Sequence, residues 1–293
     1  MAYQRREFIK LSAALGSGVV LSSVAGPLTG CAAISKNSID KNFGLQLWTL
    51  RDVLPADPKG VLTKVASYGY KQIESFEGKQ GMFWGMKNTE FKKLMDDLGM
   101  KIVASHCDIK TDFERKAAEA AEIGMNYLIC PYLGPQKTIN DFKLYAATFN
   151  ERGLMCKKHG IRFGYHNHDY GFVPLEGQMP QDVLMSNTDK DLVDFEMDIY
   201  WVVTAGQNPV SWFDKYPGRF KLCHIKDRQK NIPASERDAS VILGTGDINF
   251  KEIIKEGQKK GLEYFIVEQE KYENTTPLDA AKADADYLKK FTV

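Results

Sequence analysis

Arg162-Phe163-Gly164-Tyr165-His166-Asn167-His168-Asp169 reads as a β-strand whose apolar run ends in two histidines, and it sets the reading of the whole chain. Side chains alternate along a strand, so His166 and His168 face the same way. The pattern recurs outward from this stretch. Ile102–Asp108 carries His106, Val193–Tyr200 carries Glu196 and Asp198, Leu222–Asp227 carries His224 and Lys226, and Phe265–Lys271 carries Glu268 and Glu270. Burying that many ionisable groups is costly unless something offsets it. A shared metal ion is the economical compensation.

The spacing predicts strands near 43–49, 71–76, 101–108, 127–132, 162–169, 193–200, 221–227 and 264–271. Helical patterns separate them at Pro58–Tyr68, Thr89–Leu98, Phe113–Ile123, Ile139–His159, Pro180–Ser186, Pro209–Tyr216 and Phe250–Lys260, with a last one at Pro277–Lys290. Alternating strands and helices imply a parallel sheet covered by helices. Eight such units in one chain of this length match a closed (β/α)8 TIM barrel, an α/β fold with its active site at the strand C-termini. An open doubly wound sheet would usually place a glycine-rich phosphate turn after its first strand, and Leu45–Asp52 contains none. Gly124, Gly160 and Gly261 sit where helix C-caps are expected.

The chain has 293 residues and a net charge of +1, enough for a sizeable core and without the basic footprint of a nucleic-acid partner. Residues 1–31 read as an address. Arg5-Arg6-Glu7-Phe8-Ile9-Lys10 resembles a twin-arginine export signal, an uncharged stretch from Leu11 to Ala25 follows, and Leu28-Thr29-Gly30-Cys31 resembles a lipoprotein cleavage box with Cys31 as the lipid-bearing residue. The expected organisation is a signal over 1–31, a polar tether over 32–41 and one barrel domain over 42–293. The expected location is the periplasm, with the protein anchored to a membrane through Cys31. Cys107, Cys130, Cys156 and Cys223 show no paired spacing and are expected to be buried free thiols.

From Phe43 onward the chain resembles the sugar isomerase and epimerase superfamily with a xylose isomerase-like barrel. The resemblance is carried by Tyr165-His166-Asn167-His168-Asp169-Tyr170, Asp198-Ile199-Tyr200-Trp201-Val202, His224-Ile225-Lys226-Asp227, Gly244-Thr245-Gly246-Asp247-Ile248 and Val267-Glu268-Gln269-Glu270, in that order. It implies one divalent ion held by a glutamate, an aspartate, a histidine and a glutamate on strands five to eight. Asp198, His224 and Glu268 match the last three positions. His166 stands where the first glutamate is usual, and it is expected to complete the ligand set or to act as a base. This mixed set suits Mn, Zn or Co better than Ca.

Lys226 and Glu270 follow their strand neighbours by two residues and are expected to face inward. Lys226 would contact substrate or stabilise an enolate, unless it forms an ion pair with Glu270 or Glu196. Glu74 and His106, at the ends of strands two and three, are expected at the same mouth, His106 as an acid or base and Glu74 as a substrate contact. His168 and Glu270 are expected to touch substrate, and Glu268 is expected to act in catalysis as well as to hold the ion. Trp48, Phe83, Trp84 and Trp201 are candidate stacking platforms for a sugar.

The implied chemistry is proton removal next to a carbonyl through an enediolate. Isomerisation or epimerisation of a non-phosphorylated sugar or keto-sugar is the leading expectation. A lyase or hydrolase of 3-keto-glycosides, or a sugar dehydratase working by elimination from the same enolate, is the alternative, and an exported sugar-binding lipoprotein is a lesser one. The expected partners are a small sugar and, through the anchor, a membrane, with a homo-oligomer left open.

Overall fold

Short strands that end in polar pairs close here into a cylinder. The computed structural model describes residues 39–233 and 235–292, which belong to one compact unit. The signal-like segment with Cys31, and the tether up to residue 38, lie outside the described residues. The barrel strands are β1 (Gly44–Gln46), β2 (Gln72–Phe76), β3 (Lys101–His106), β4 (Tyr127–Cys130), β5 (Arg162–His166), β6 (Val193–Asp198), β7 (Phe220–Ile225) and β10 (Tyr264–Val267). All pair in parallel in the closed order β1-β10-β7-β6-β5-β4-β3-β2. Between β7 and β10 a two-stranded antiparallel ribbon, β8 (Asp227–Arg228) and β9 (Ser240–Val241), folds over the barrel.

The helices are α1 (Pro58–Tyr68), α2 (Asn88–Asp97), α3 (Phe113–Glu122), α4 (Ile139–Lys158), α5 (Pro180–Ser186), α6 (Ile199–Thr204), α7 (Pro209–Lys215), α8 (Phe250–Lys259) and α9 (Pro277–Leu288). Their starts follow from local chemistry. Pro58, Pro180, Pro209 and Pro277 occupy first-turn positions, where the missing N–H costs nothing. Asp57, Thr138, Asn208 and Thr276 accept an N–H of the first turn. Gly69, Gly124, Gly160 and Gly261 leave their helices with positive φ, the conformation that spares only glycine a steric cost.

The barrel strands run shorter than their sequence patterns predict, and β1 and β6 end where a side chain turns back on the backbone. Gln46 accepts the N–H of Trp48, so Leu47–Leu50 turns into a 3-10 helix. β5 stops at His166. β6 stops at Asp198, whose carboxylate caps α6 by accepting the N–H of Trp201, so Ile199 and Tyr200 are helical rather than extended.

Most of the apolar core lies between strands and helices; a smaller cluster of Val103, Ala104, Tyr127, Ile129, Leu222 and Ile266 fills the barrel interior. Above and below it the interior is polar. β6 shows this layering directly, because Asp194, Glu196 and Asp198 sit at successive same-face positions. Asp194 pairs with Arg162 and accepts from Tyr127 at the lower end, Glu196 meets His106, and Asp198 stands at the C-terminal mouth. The four described cysteines are buried free thiols.

Candidate metal centre

Four side chains converge at the strand C-termini, one from each of four consecutive barrel strands. Nε2 of His166 lies 3.4 Å from Oδ2 of Asp198. Nδ1 of His224 lies 3.7 Å from the same oxygen and 3.3 Å from Oε2 of Glu268. One donor atom from each of the four residues fits within 4.8 Å of all the others, and all four residues are buried.

Two of these donors have no hydrogen-bond partner although they are buried: Nε2 of His166 and Nδ1 of His224. The opposite nitrogen of His166 lies 3.1 Å from the carbonyl oxygen of Pro131. A carbonyl only accepts, so Nδ1 carries the proton and Nε2 aims a lone pair toward Asp198. Burial also pulls the His166 pKa down, which keeps the ring neutral. At His224 burial opposes a positive charge, but the charges of Glu196 and Glu268 outweigh it and draw one in. Two imidazole nitrogens without partners beside two carboxylates fit a divalent ion with mixed nitrogen and oxygen ligands. The expected set of His166, Asp198, His224 and Glu268 is thus brought together.

Lys226 is buried and charged. Its Nζ lies 3.2 Å from Oε2 of Glu268 and 3.5 Å from Oδ2 of Asp198, and it pairs closely with Glu270. Burial alone would lower its pKa, yet these carboxylates raise it well above the usual lysine value. Lys226 therefore holds the two ligand carboxylates in place as an ion-pair hub. Its partner is Glu270 and not Glu196. Burial works against ionisation of Asp198, but Lys226 and the two histidines keep its pKa well below the normal range.

A second group lies deeper. Oε1 of Glu74 is 2.8 Å from Nε2 of His224 and 3.0 Å from Nε2 of His106, and it also accepts from the Gln46 amide. Oε2 of Glu196 lies 2.9 Å from Nε2 of His106 and 3.5 Å from Nε2 of His224. Burial would lower the His106 pKa, but Glu74 and Glu196 overcome it and push it up to about 9. Burial, helped by the charge of Glu74, pushes the Glu196 carboxyl up to about 7. Glu74 is fully buried and takes no part in the cavity wall, which corrects its expected role as a substrate contact. Alternation gave its face correctly but not its depth. The sequence offered Glu196 only as an ion-pair partner of Lys226 and gave Gln46 no role; the signal for Glu196 lay in its place two residues before Asp198 on the same face.

Above the centre opens a cavity of about 410 Å³. His106, His166, His168, Glu268 and Glu270 reach it from the floor, and Trp48, Phe76, Tyr132 and Trp201 form aromatic walls. His168 sits between Tyr132, Tyr170 and Trp201, with ring centroids at 4.9, 5.7 and 5.3 Å. Its Nδ1 is buried and without a partner, and burial lowers its pKa well below the ordinary value. Trp48 and Trp201 stand where a sugar ring could stack. Phe83 and Trp84 do not: both are buried outside the cavity, and the indole N–H of Trp84 donates to Ser75 at 3.0 Å.

Residues 62–291 match the family model of the xylose isomerase-like TIM barrel. An inosose dehydratase of Clostridium perfringens is 30% identical over 166 residues, covering 52% of this chain and 55% of that protein, so the chain spans about half the length of the curated relatives it matches. A sugar phosphate isomerase/epimerase structure from Parabacteroides distasonis is 30% identical with a TM-score of 0.74, covering 88% of this chain and 97% of that one. The zinc-bound structure of the IOLI protein shares the fold at a TM-score of 0.69 and 13% identity, covering 85% of this chain and 98% of that one.

Proposed function

The chain belongs to the xylose isomerase-like TIM barrel family, and from that premise we propose that it is a divalent-metal-dependent enzyme that removes a proton beside the carbonyl of a non-phosphorylated keto-sugar or keto-cyclitol and then eliminates a β-substituent. The observation that carries this reading is the clamping of Nε2 of His106 between Glu74 and Glu196 at 3.0 and 2.9 Å, while the residue lines the cavity. Two carboxylates keep the ring protonated through neutral pH, so it serves as a proton donor. Elimination needs such a donor at the leaving group and a base at the carbon acid.

A divalent ion held by His166, Asp198, His224 and Glu268 would polarise the carbonyl and stabilise negative charge on the enolate oxygen. Glu268, which reaches both the ion ligands and the cavity, takes the carbon-bound proton. The electron pair moves into the enolate, the β carbon–oxygen bond breaks, and the departing oxygen takes a proton from His106. Water leaves from a free hydroxyl and an alcohol from a glycoside. The neutral imidazole of His168 orients a hydroxyl, and the aromatic walls pack against the ring.

Among the described residues no Lys or Arg lines the cavity, and Glu77, Asp108, Glu268 and Glu270 do. A phosphate would meet carboxylates there, which supports a non-phosphorylated substrate. Zinc in the IOLI structure and the dehydratase relatives support the metal and the elimination. Isomerisation or epimerisation is the second reading, favoured by the name of the 30%-identical Parabacteroides distasonis protein matched over nearly its whole length. Export and anchoring through Cys31 belong to the same proposal and rest on the Arg5-Arg6 and Leu28–Cys31 motifs.

The test is incubation of the Zn-, Mn- or Co-loaded protein in deuterated water with free aldoses, an inosose and 3-keto-glucosides. Loss of water or alcohol from a keto substrate supports elimination. Deuterium exchange with inversion or isomerisation supports the second reading, and neither exchange nor product on any substrate would sink both.

A further inference from the structure

His224 belongs to two donor groups at once, the upper one with His166, Asp198 and Glu268 and the deeper one with Glu74, His106 and Glu196. The two groups meet opposite nitrogens of its ring. Nδ1 faces Asp198 and Glu268, and Nε2 faces Glu74 and Glu196.

Hydrogen bonding separates their roles. In the deeper group the closest contacts are 2.8, 2.9 and 3.0 Å, ordinary hydrogen-bond lengths between an imidazole N–H and a carboxylate. Oε1 of Glu74 also accepts the Gln46 amide, so it already meets three donors. In the upper group the contacts are 3.3 to 3.7 Å, and Nδ1 of His224 and Nε2 of His166 have no partner. Ring nitrogens paired below and unpaired above describe a support beneath a binding site, although one oxygen each of Glu74 and Glu196 also lacks a partner.

We infer that Glu74 and Glu196 are positioning residues that decide which ring nitrogen His224 and His106 present: the carboxylates hold Nε2–H of both rings, and Nδ1 is left for the ion at His224 and for a ligand at His106. An imidazole can carry its proton on either nitrogen, and a ligating ring must expose the correct lone pair. Glu74 reaches His224 across the barrel and also touches His106, so one carboxylate orients both rings. Glu196 supplies the second contact to each. Both are fully buried, which removes water as a competing acceptor. The inference rests on the metal-centre reading but not on the reaction.

The test uses the full chain, zinc titration and nitrogen-15 NMR of labelled histidines. Tight zinc binding by wild type that is lost in His166→Ala establishes the centre, and absence of tight binding overturns the centre itself. In the zinc-loaded wild type, His224 is expected to show zinc on Nδ1 and a proton on Nε2. Glu74→Gln is expected to weaken zinc binding by about 10–100-fold. Glu196→Gln, whose contact to His224 is the longer one at 3.5 Å, is expected to weaken zinc binding less than Glu74→Gln does while shifting the His106 Nε2–H signal, which it meets at 2.9 Å. If Glu74→Gln does not fold, Glu74→Asp, which keeps the charge and retracts the carboxylate, is expected to show the same zinc loss. Zinc bound to Nε2 of His224, or wild-type zinc affinity in the folded Glu74 variants, overturns the inference while leaving the centre intact.

Discussion

Nε2 of His224 lies 2.8 Å from Oε1 of Glu74, although their strands, β7 and β2, stand three places apart around the barrel. A contact through the lumen ties two non-adjacent walls at the level of the centre. It also concentrates negative charge: Glu74, Glu196, Asp198 and Glu268 all surround this one imidazole.

Replacing His224 with alanine should therefore do more than remove a ligand. It leaves four buried carboxylates facing a hole, and breaking a buried charge pair costs roughly 3–5 kcal/mol. The expected outcome is loss of the ion by elemental analysis, loss of activity and a clear drop in Tm. A variant that keeps its ion would exclude the centre.

His166→Glu should change the character of the site. It removes the bond to Pro131 and adds a charge beside Asp198, which shifts preference from zinc toward manganese. Burial has already lowered the His166 pKa, and the new carboxylate is a different titrating group, so the acidic limb of the rate profile should move. Elimination should fall further than deuterium exchange. Unchanged metal preference and an unchanged pH profile would make His166 a bystander.

Asp284 gives a pH prediction distant from the ligands. Burial, opposed only partly by the Leu243 N–H and reinforced by the charge of Asp227, pushes its carboxyl up to about 8. The folded chain then holds a proton that the unfolded chain releases from about pH 4 upward. This contribution to stability is present at acid pH and is lost as pH rises through about 8. Asp284→Asn should raise Tm at pH 8 by a few degrees, an effect of about 1–2 kcal/mol, and should not raise it at pH 4. Thermal melts that stay parallel at the two pH values would refute the assignment.

Gly246→Ala should damage the loop after β9. An added Cβ would lie 2.1 Å from Oδ1 of Asp227 and 2.3 Å from the Arg228 carbonyl oxygen. Asp227 accepts the N–H groups of Gly244 and Gly246, both at 2.9 Å. The loop must open, at a cost of roughly 1–3 kcal/mol, and activity should fall because Asp227 directly follows Lys226. A melting curve like that of wild type would show that the loop can shift freely.

The barrel was legible because its punctuation is local. Proline and capping residues mark where helices begin, and glycines with positive φ mark where they end. The ligands were legible because i, i+2 spacing fixes a common face. Depth was not, since it depends on stagger between strands: the β2–β3 register shifts at Ile73/Glu74, and no single strand reveals that. Glu74 accordingly lies under the site and not at its mouth. α6 was missed because Ile199-Tyr200-Trp201-Val202 has the β-branched and aromatic composition of a strand, and only the cap formed by Asp198 turns it into a helix.

Asp198 uses its two oxygens separately. Oδ1 caps α6 through Trp201, and Oδ2 faces His166 and His224. The first turn of α6 carries Trp201 into the cavity wall, so the ion ligand and the aromatic wall share a single hinge point. A change of metal radius that pulls on Oδ2 would be felt at the indole, and a ligand pressing on the indole would be felt at the ion. Trp201 fluorescence should consequently follow metal exchange even before any substrate is added.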